Sequence, residues 1–122
     1  MCGIFGFFNL GSKKINVPDI LLNGAAMEAQ KRGRDGWGVM LDGEIYKSTK
    51  QDSIINFKQF GTKKEFCILN CRAKPETEVE TSLENIQPIS HKENRKEAYL
   101  VHNGAISESY MKYVYKKHHW KP

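Results

Sequence analysis

The sequence predicts a mixed α/β or α+β domain rather than a helical bundle. Three observations carry that expectation. Two short apolar runs, at residues 2–8 and 66–70, have the length and composition of buried strands. A segment from Pro18 to about Lys31 spaces its apolar residues as a helix does. The pair Asp42-Gly43 sits between two further short segments and is a strong hairpin signal.

Each element follows in chain order. Residues 2–8 are apolar at both alternating sets of positions, which predicts a strand covered on both faces and hence central. Residues 11–14 form a turn. Pro18, with its fixed φ, suits the first turn of a helix. Ile20, Leu21, Gly24, Ala25, Met27 and Ala29 supply its apolar stripe, and Gly33 ends it as a C-cap. Residues 36–41 and 44–47 flank the Asp42-Gly43 turn as paired strands. Residues 52–60 are expected to form a short helix, and 66–70 a third buried strand. The stretch 74–94 is polar, contains two prolines and reads mainly as loop. Residues 98–101 form another strand, ending at His102-Asn103-Gly104. Ser107 is a suitable N-cap for a closing helix through about His118. No internal repeat or low-complexity linker interrupts this order.

Composition bounds the function. A chain of 122 residues has room for one domain with one core, spanning residues 1–122. The longest apolar run, residues 2–8, is too short to cross a bilayer and has no charged segment before it, so no secretory signal is read. A cytoplasmic location and no membrane partner are expected. The net charge is +5, but Lys13-Lys14, Lys31-Arg32, Lys63-Lys64, Arg95-Lys96 and Lys116-Lys117 are scattered, with acidic residues between most of them. That pattern is a solvated surface more often than a nucleic-acid footprint. Three cysteines, Cys2, Cys67 and Cys71, are too few and odd in number for a disulfide framework. Cys67 and Cys71 would lie about 13 Å apart along one strand, too far to share a metal. Gly36-Trp37-Gly38 lacks the third glycine of a dinucleotide loop. No metal or cofactor is expected. Tyr110, Tyr113 and Tyr115 read as a helix packing and rim set, and His118-His119 as a helix terminus.

Cys2 admits two readings. On its own it is a small buried residue of an apolar strand. Once the initiator Met1 is removed, which a small second residue permits, it becomes a thiol and a free α-amino group on one residue. An α-amino group titrates near pH ~8, so it can serve as the base for its own thiol. Chemistry-bearing residues then recur at strand ends and turns, in Arg32-Gly33-Arg34-Asp35-Gly36, in Cys71-Arg72-Ala73-Lys74 and in His102-Asn103-Gly104. Asp35 is read as fixing a turn through the backbone rather than as an acid. In isolation Asn103-Gly104 is an ordinary hairpin turn, although the sequence pattern after it is that of a helix rather than a strand.

Taken together and in this order, the CGI-x-G opening, the RG-x-D-x-x-G after the first helix and the HNG-x-I resemble the glutaminase domain of class II glutamine amidotransferases, the N-terminal-nucleophile family that begins with cysteine. The resemblance implies an α+β layered sandwich (α/β/β/α), of which this chain would cover the earlier part. It implies that Cys2 attacks the side-chain amide of glutamine to give a thioester and ammonia. Asn103 and Gly104 would then supply the oxyanion donors. Arg72 would grip the substrate α-carboxylate, and Arg32 and Gly33 would support the nucleophile. The family's threonine three residues after the arginine is Pro75 here, and Thr77 offers a hydroxyl two residues later. An N-x-H-P segment of relatives appears as Asn85-Ile86-Gln87-Pro88. The aspartate that binds the substrate α-ammonium in the family would fall beyond Pro122. Glutamine is thus the implied substrate, and a synthase domain or subunit that accepts ammonia the implied partner. Two alternatives stand beside it: a catalytically inactive relative acting as a binding module, and a basic nucleic-acid-binding domain.

Overall fold

The computed structural model describes residues 2–10, 16–60, 64–74, 82–104 and 107–119. Its elements run β1 (Gly3–Phe8), α1 (Asp19–Gln30), β2 (Trp37–Leu41), β3 (Glu44–Ser48), β4 (Phe66–Cys71), β5 (Ile89–Glu93), β6 (Lys96–Leu100) and α2 (Glu108–His118). Among the described residues it is a small mixed fold of two α-helices and antiparallel sheets. One sheet has the order β1-β4-β2-β3, and β5 pairs with β6 as a separate two-stranded sheet.

β4 is the centre of the larger sheet. It pairs with β1 from Gly3↔Cys71 to Phe8↔Phe66, and with β2 from Trp37↔Cys71 to Leu41↔Cys67. Strand residues alternate between faces. Cys67, Leu69 and Cys71 pack with Leu22, Ala26 and Ala29 of α1 and with Val39 and Leu41 of β2. Phe66, Ile68 and Asn70 therefore point to the opposite face, beside Ile4, Gly6 and Phe8 of β1 and Gly38 and Met40 of β2.

The expectation that residues 2–8 form a central strand is corrected. Among the described residues β1 is an edge strand, paired with β4 alone. Phe5 and Phe7 pack against the core below α1, whereas Ile4 and Phe8 on the other face are 46% and 68% exposed. Apolar residues on both faces of a strand record what would cover them, not its place in the sheet.

α1 starts where expected, with Pro18 as its N-cap residue at φ −65. The Lys64 ammonium donates to the Val17 carbonyl and to the Asp19 carboxylate, joining the first turn to the approach to β4. The predicted apolar stripe of α1 is corrected: of its six residues only Ala29 is buried, and the buried face is completed by Leu22 and Ala26, which the stripe did not include. Ile20, Leu21 and Met27 stand exposed. Ala29 decides the facing, because its backbone lies where a Cβ on Gly3 would be, so the helix crosses β1 at a small residue.

The β2–β3 hairpin turns at Asp42 and Gly43, both at positive φ (53 and 90), as an Asp-Gly pair favours. Asp42 Oδ1 also accepts the N–H groups of Glu65 (2.7 Å) and Phe66 (3.0 Å), tying the hairpin tip to the start of β4. The short helix expected over 52–60 reduces to one 3₁₀ turn, Phe57–Gln59. Two side-chain amides of α1 replace the missing helical bonds. Gln30 donates to Ser53 O (2.7 Å) and accepts from Ile55 N, and Asn23 accepts from Phe57 N (2.7 Å). Ile55, Phe57 and Phe60 are thereby held in the core as an ordered loop, where Phe60 stacks on Tyr46.

The loop expected over 74–94 contains a strand. β5 pairs with β6 from Ile89↔Leu100 to Glu93↔Lys96, about a turn at Asn94 and Arg95 with φ 47 and 64. β6 begins two residues before the strand expected at 98–101. Tyr99 Oη donates to Gly43 O at 3.2 Å and ties this hairpin to the other one. α2 is capped as expected, with Ser107 Oγ accepting from Tyr110 N at 3.2 Å. None of its residues is buried, and Tyr110 and Tyr113 are 57% and 56% exposed, so they form an exposed rim rather than a packing set. Among the described residues no helix is long and apolar enough to cross a membrane.

Candidate active site

Segments that are distant in sequence meet at Cys2. β1 and β4 run antiparallel with Gly3 opposite Cys71, so the residue before β1 faces the residues after β4. The Ala73 N–H lies 3.4 Å from Cys2 Sγ, and the Ala73 carbonyl oxygen 3.9 Å from it. From the other side, Cys2 N donates to Asn103 Oδ1 at 3.2 Å across 101 residues of chain. Cys2 is half-buried, with its thiol against a backbone N–H that can stabilise a thiolate.

The loop after α1 buttresses this point. Asp35 N donates to Arg72 O and Arg72 N to Gly36 O, both at 2.9 Å. Asp35 Oδ2 accepts from Lys74 N at 3.0 Å. Asp35 thus does bind backbone, as expected, but that of residue 74 rather than its own turn. Gly33 is corrected from helix C-cap to packing contact. It is absent from the positive-φ residues, and a Cβ there would overlap Cys71 O, Arg72 C and Ala73 N. The absence of a side chain lets the loop lie directly on the backbone that positions the Ala73 N–H. Arg32 is exposed, and its N–H donates to Ala29 O at 3.1 Å at the end of α1.

Arg72 is half-buried on the rung beside Cys2, and its Nη1 donates to Asn85 O at 3.1 Å. The 85–88 segment reaches the third strand end as well, because Gln87 Oε1 accepts from His102 N. Asn103 and Gly104 are exposed, and Gly104 has φ +143. They do not form a hairpin turn, since the next element is α2. Thr77 lies outside the described residues. The structure therefore brings together Cys2, Gly33, Arg72 and Asn103, with Gly104 adjoining. A groove of about 380 Å³ lined by Met27, Gln30, Lys31, Arg34, Asp52 and Ile54 adjoins the same loop but includes neither Cys2 nor Arg72.

Sequence reasoning missed three participants. The Ala73 N–H and the Asn85 carbonyl are backbone groups and have no side-chain signature. Asn70 sits in an apolar strand that hides it from a sequence pattern, yet it is 1% exposed and its Nδ2 has no hydrogen-bond partner among the described residues. An unmet buried donor of this kind costs ~1–3 kcal/mol.

The other two thiols are unlike Cys2. Burial, with a smaller contribution from Asp42, pushes Cys67 up to about 12, and burial, with a smaller contribution from Cys2, does the same to Cys71. Both stay protonated and inert at neutral pH. Iodoacetamide is expected to modify Cys2 in the folded chain and all three thiols in denaturant. Labelling of Cys67 or Cys71 without unfolding would contradict their burial. Because their folded pKa values lie above the ordinary 9, the folded chain holds protons that the unfolded chain releases. Their contribution to stability is complete below pH 9 and is lost as pH rises towards 12. No protein-family model, no curated protein and no solved structure matches this chain.

Proposed function

We propose that this chain is a glutaminase domain of the class II amidotransferase type, with Cys2 as nucleophile once Met1 is removed, folded as part of the layered α/β/β/α sandwich of that family. The observation that carries the reading is the meeting of Cys2 with Ala73 N–H and Asn103 Oδ1, on segments 71 and 101 residues away. A small buried strand residue needs neither partner.

The reaction follows from the positions. Removal of Met1 turns the Cys2 peptide N–H into an amine, and Asn103 Oδ1 remains able to accept one of its hydrogens. The amine lone pair takes the thiol proton, directly or through a water. Sulfur then bonds to the side-chain amide carbon of glutamine, whose carbonyl electron pair moves onto oxygen. Asn103 Nδ2 and the Gly104 N–H are the donors for that oxyanion. Collapse breaks the C–N bond, the ammonium proton passes to the leaving nitrogen, and ammonia departs. Water, giving a proton to the same amine, attacks the thioester. The C–S bond breaks, the thiol is re-formed, and glutamate leaves. Arg72 holds the substrate carboxylate by the bidentate fork that its guanidinium offers. Ammonia would pass to an acceptor on a synthase domain or subunit.

Mass spectrometry of the mature N-terminus and incubation with a glutamine-analogue diazoketone test this reading. The expected result is a chain beginning at Cys2, alkylated once, at that residue, and releasing ammonia from glutamine. A retained Met1 would sink the built-in-base mechanism. A second reading, an inactive relative that binds a partner, is favoured by Ile4 and Phe8, the exposed apolar residues at the β1 edge of the sheet face opposite α1. A free Cys2 that the diazoketone leaves unlabelled selects it.

A further inference from the structure

Asn70 is the one polar residue that β4 buries. It stands on the face opposite α1, one rung below Cys2 and Arg72. Its register partners are Ile4 on β1 and Gly38 on β2. Arg72 follows it by two residues, about 7 Å along the same face. Cys2 precedes Ile4 by the same step.

What covers Asn70 is the strap formed by residues 85–88. A Cβ on Gly38 would overlap the Gln87 carbonyl oxygen and crowd Ile86, so the strap crosses the sheet directly beside Asn70. Ile86 and Pro88 are themselves fully buried there. The same strap occupies Arg72, through the 3.1 Å bond from Nη1 to Asn85 O. Its carbonyl oxygen therefore stands where Arg72 would meet a ligand oxygen. On the same sheet face, two residues before Arg72, the Asn70 Nδ2 donor is 1% exposed and has no acceptor among the described residues.

A purely structural strand position would be filled by an apolar residue, as Ile68 and Met40 fill the next rung of this face. We propose that Asn70 is a substrate-positioning residue: it donates through Nδ2 to the α-carboxylate of glutamine when that carboxylate displaces the Asn85 carbonyl from Arg72. The inference rests on the glutaminase reading of the site. A substrate carboxylate that takes the place of Asn85 O on Arg72 would displace the strap that lies over Asn70. One event thus exchanges a backbone acceptor for a carboxylate that can accept from both side chains. A neutral oxygen on Arg72 gives way to a charged one, which is the stronger acceptor.

The test uses the near-isosteric, apolar Asn70→Leu and separates binding from catalysis. Kd for L-glutamine is measured by calorimetry with the Cys2→Ala chain, with and without Asn70→Leu. 4-Aminobutanamide, which keeps the amide but lacks the α-carboxylate, is the control ligand. The expected result is a roughly tenfold weaker Kd for glutamine and an unchanged Kd for the control. In the Cys2-containing chain the same substitution raises KM about tenfold and leaves kcat unchanged. The melting temperature is retained or raised, because the idle donor is gone. Asn70→Gln, which restores an amide donor, recovers part of the affinity. A glutamine-hydrolysing chain whose affinity for glutamine is indifferent to Asn70→Leu overturns the role of Asn70 alone. An equal loss for glutamine and the control also overturns it, since the effect is then on the fold of the site. A parent chain that neither binds nor hydrolyses glutamine overturns the glutaminase reading, and this inference with it.

Discussion

Replacing Cys2 with alanine is expected to abolish ammonia release from glutamine and leave the fold intact. Cys2 lies outside β1 and is half-buried, so the lost sulfur opens no core cavity. Removal of a covalent nucleophile typically costs 10⁴-fold or more in turnover. No other thiol can substitute, since Cys67 and Cys71 are held near 12 by burial on the opposite face. An extra leucine inserted after Met1 separates the two functions proposed for the residue. It keeps the thiol and removes the amine, because the aminopeptidase does not act before a bulky side chain. Loss of general-base catalysis alone is worth about 10²–10⁴-fold. Turnover of the parent chain should rise with pH as the amine loses its proton, around pH ~8, and then level off. Steady-state ammonia release across pH 6–10, with circular dichroism as the folding control, checks all three chains. An alanine chain with undiminished turnover would return Cys2 to a structural role.

Several parts of this arrangement are legible in the sequence for definite reasons. The Asp42-Gly43 turn is legible because few residues other than that pair tolerate two successive positive φ values. Ser107 is legible as a cap because a hydroxyl just before a helix satisfies an otherwise unmet N–H. β5 is not legible, since all five of its residues are exposed and show no apolar alternation. Its pairing depends on a turn at Asn94-Arg95, which lacks the glycine that marks such turns. The helix expected over 52–60 is not formed, and the buried Ile55, Phe57 and Phe60 do not follow one helical face. Their backbone groups are instead satisfied by Asn23 and Gln30 from a distant helix, which no local pattern records.

The site divides the same way. Cys2, Arg72 and Asn103 carry distinctive side chains, so their order along the chain suffices to nominate them. The groups that hold them are largely backbone: Ala73 N–H, Asn85 O, and the Arg72 amide bonded to Gly36 O. Any residue type offers these atoms, and only the pairing of β1 with β4 brings them into place. Gly33 is the instructive error. A glycine just after a helix has two physical uses, a left-handed cap or a close approach, and the sequence is the same for both.

Gly33→Ala separates those two uses by the sign of its effect. Were Gly33 only a loop residue with ordinary backbone, alanine would stabilise the chain by ~0.4–1 kcal/mol through a less flexible unfolded state. The structure predicts the opposite, a loss of ~3 kcal/mol, because the added Cβ overlaps backbone atoms of residues 71–73 rather than a movable side chain. The loop must then lift from β4, and Asp35 loses its bonds to Arg72 O and Lys74 N. Ala73 N–H moves with that backbone, so the thiol loses its donor and turnover falls together with stability. Gly24→Ala is the matched control, on the exposed side of α1 with nothing within 4 Å of the added carbon. It should stabilise the helix by up to ~1 kcal/mol and leave turnover unchanged. Urea unfolding of the two variants, with equal m-values confirming a common unfolded state, gives both signs in one experiment. A Gly33→Ala chain as stable as Gly24→Ala would mean that the loop does not lie on the end of β4, and the buttress beneath Cys2 would have to be sought elsewhere.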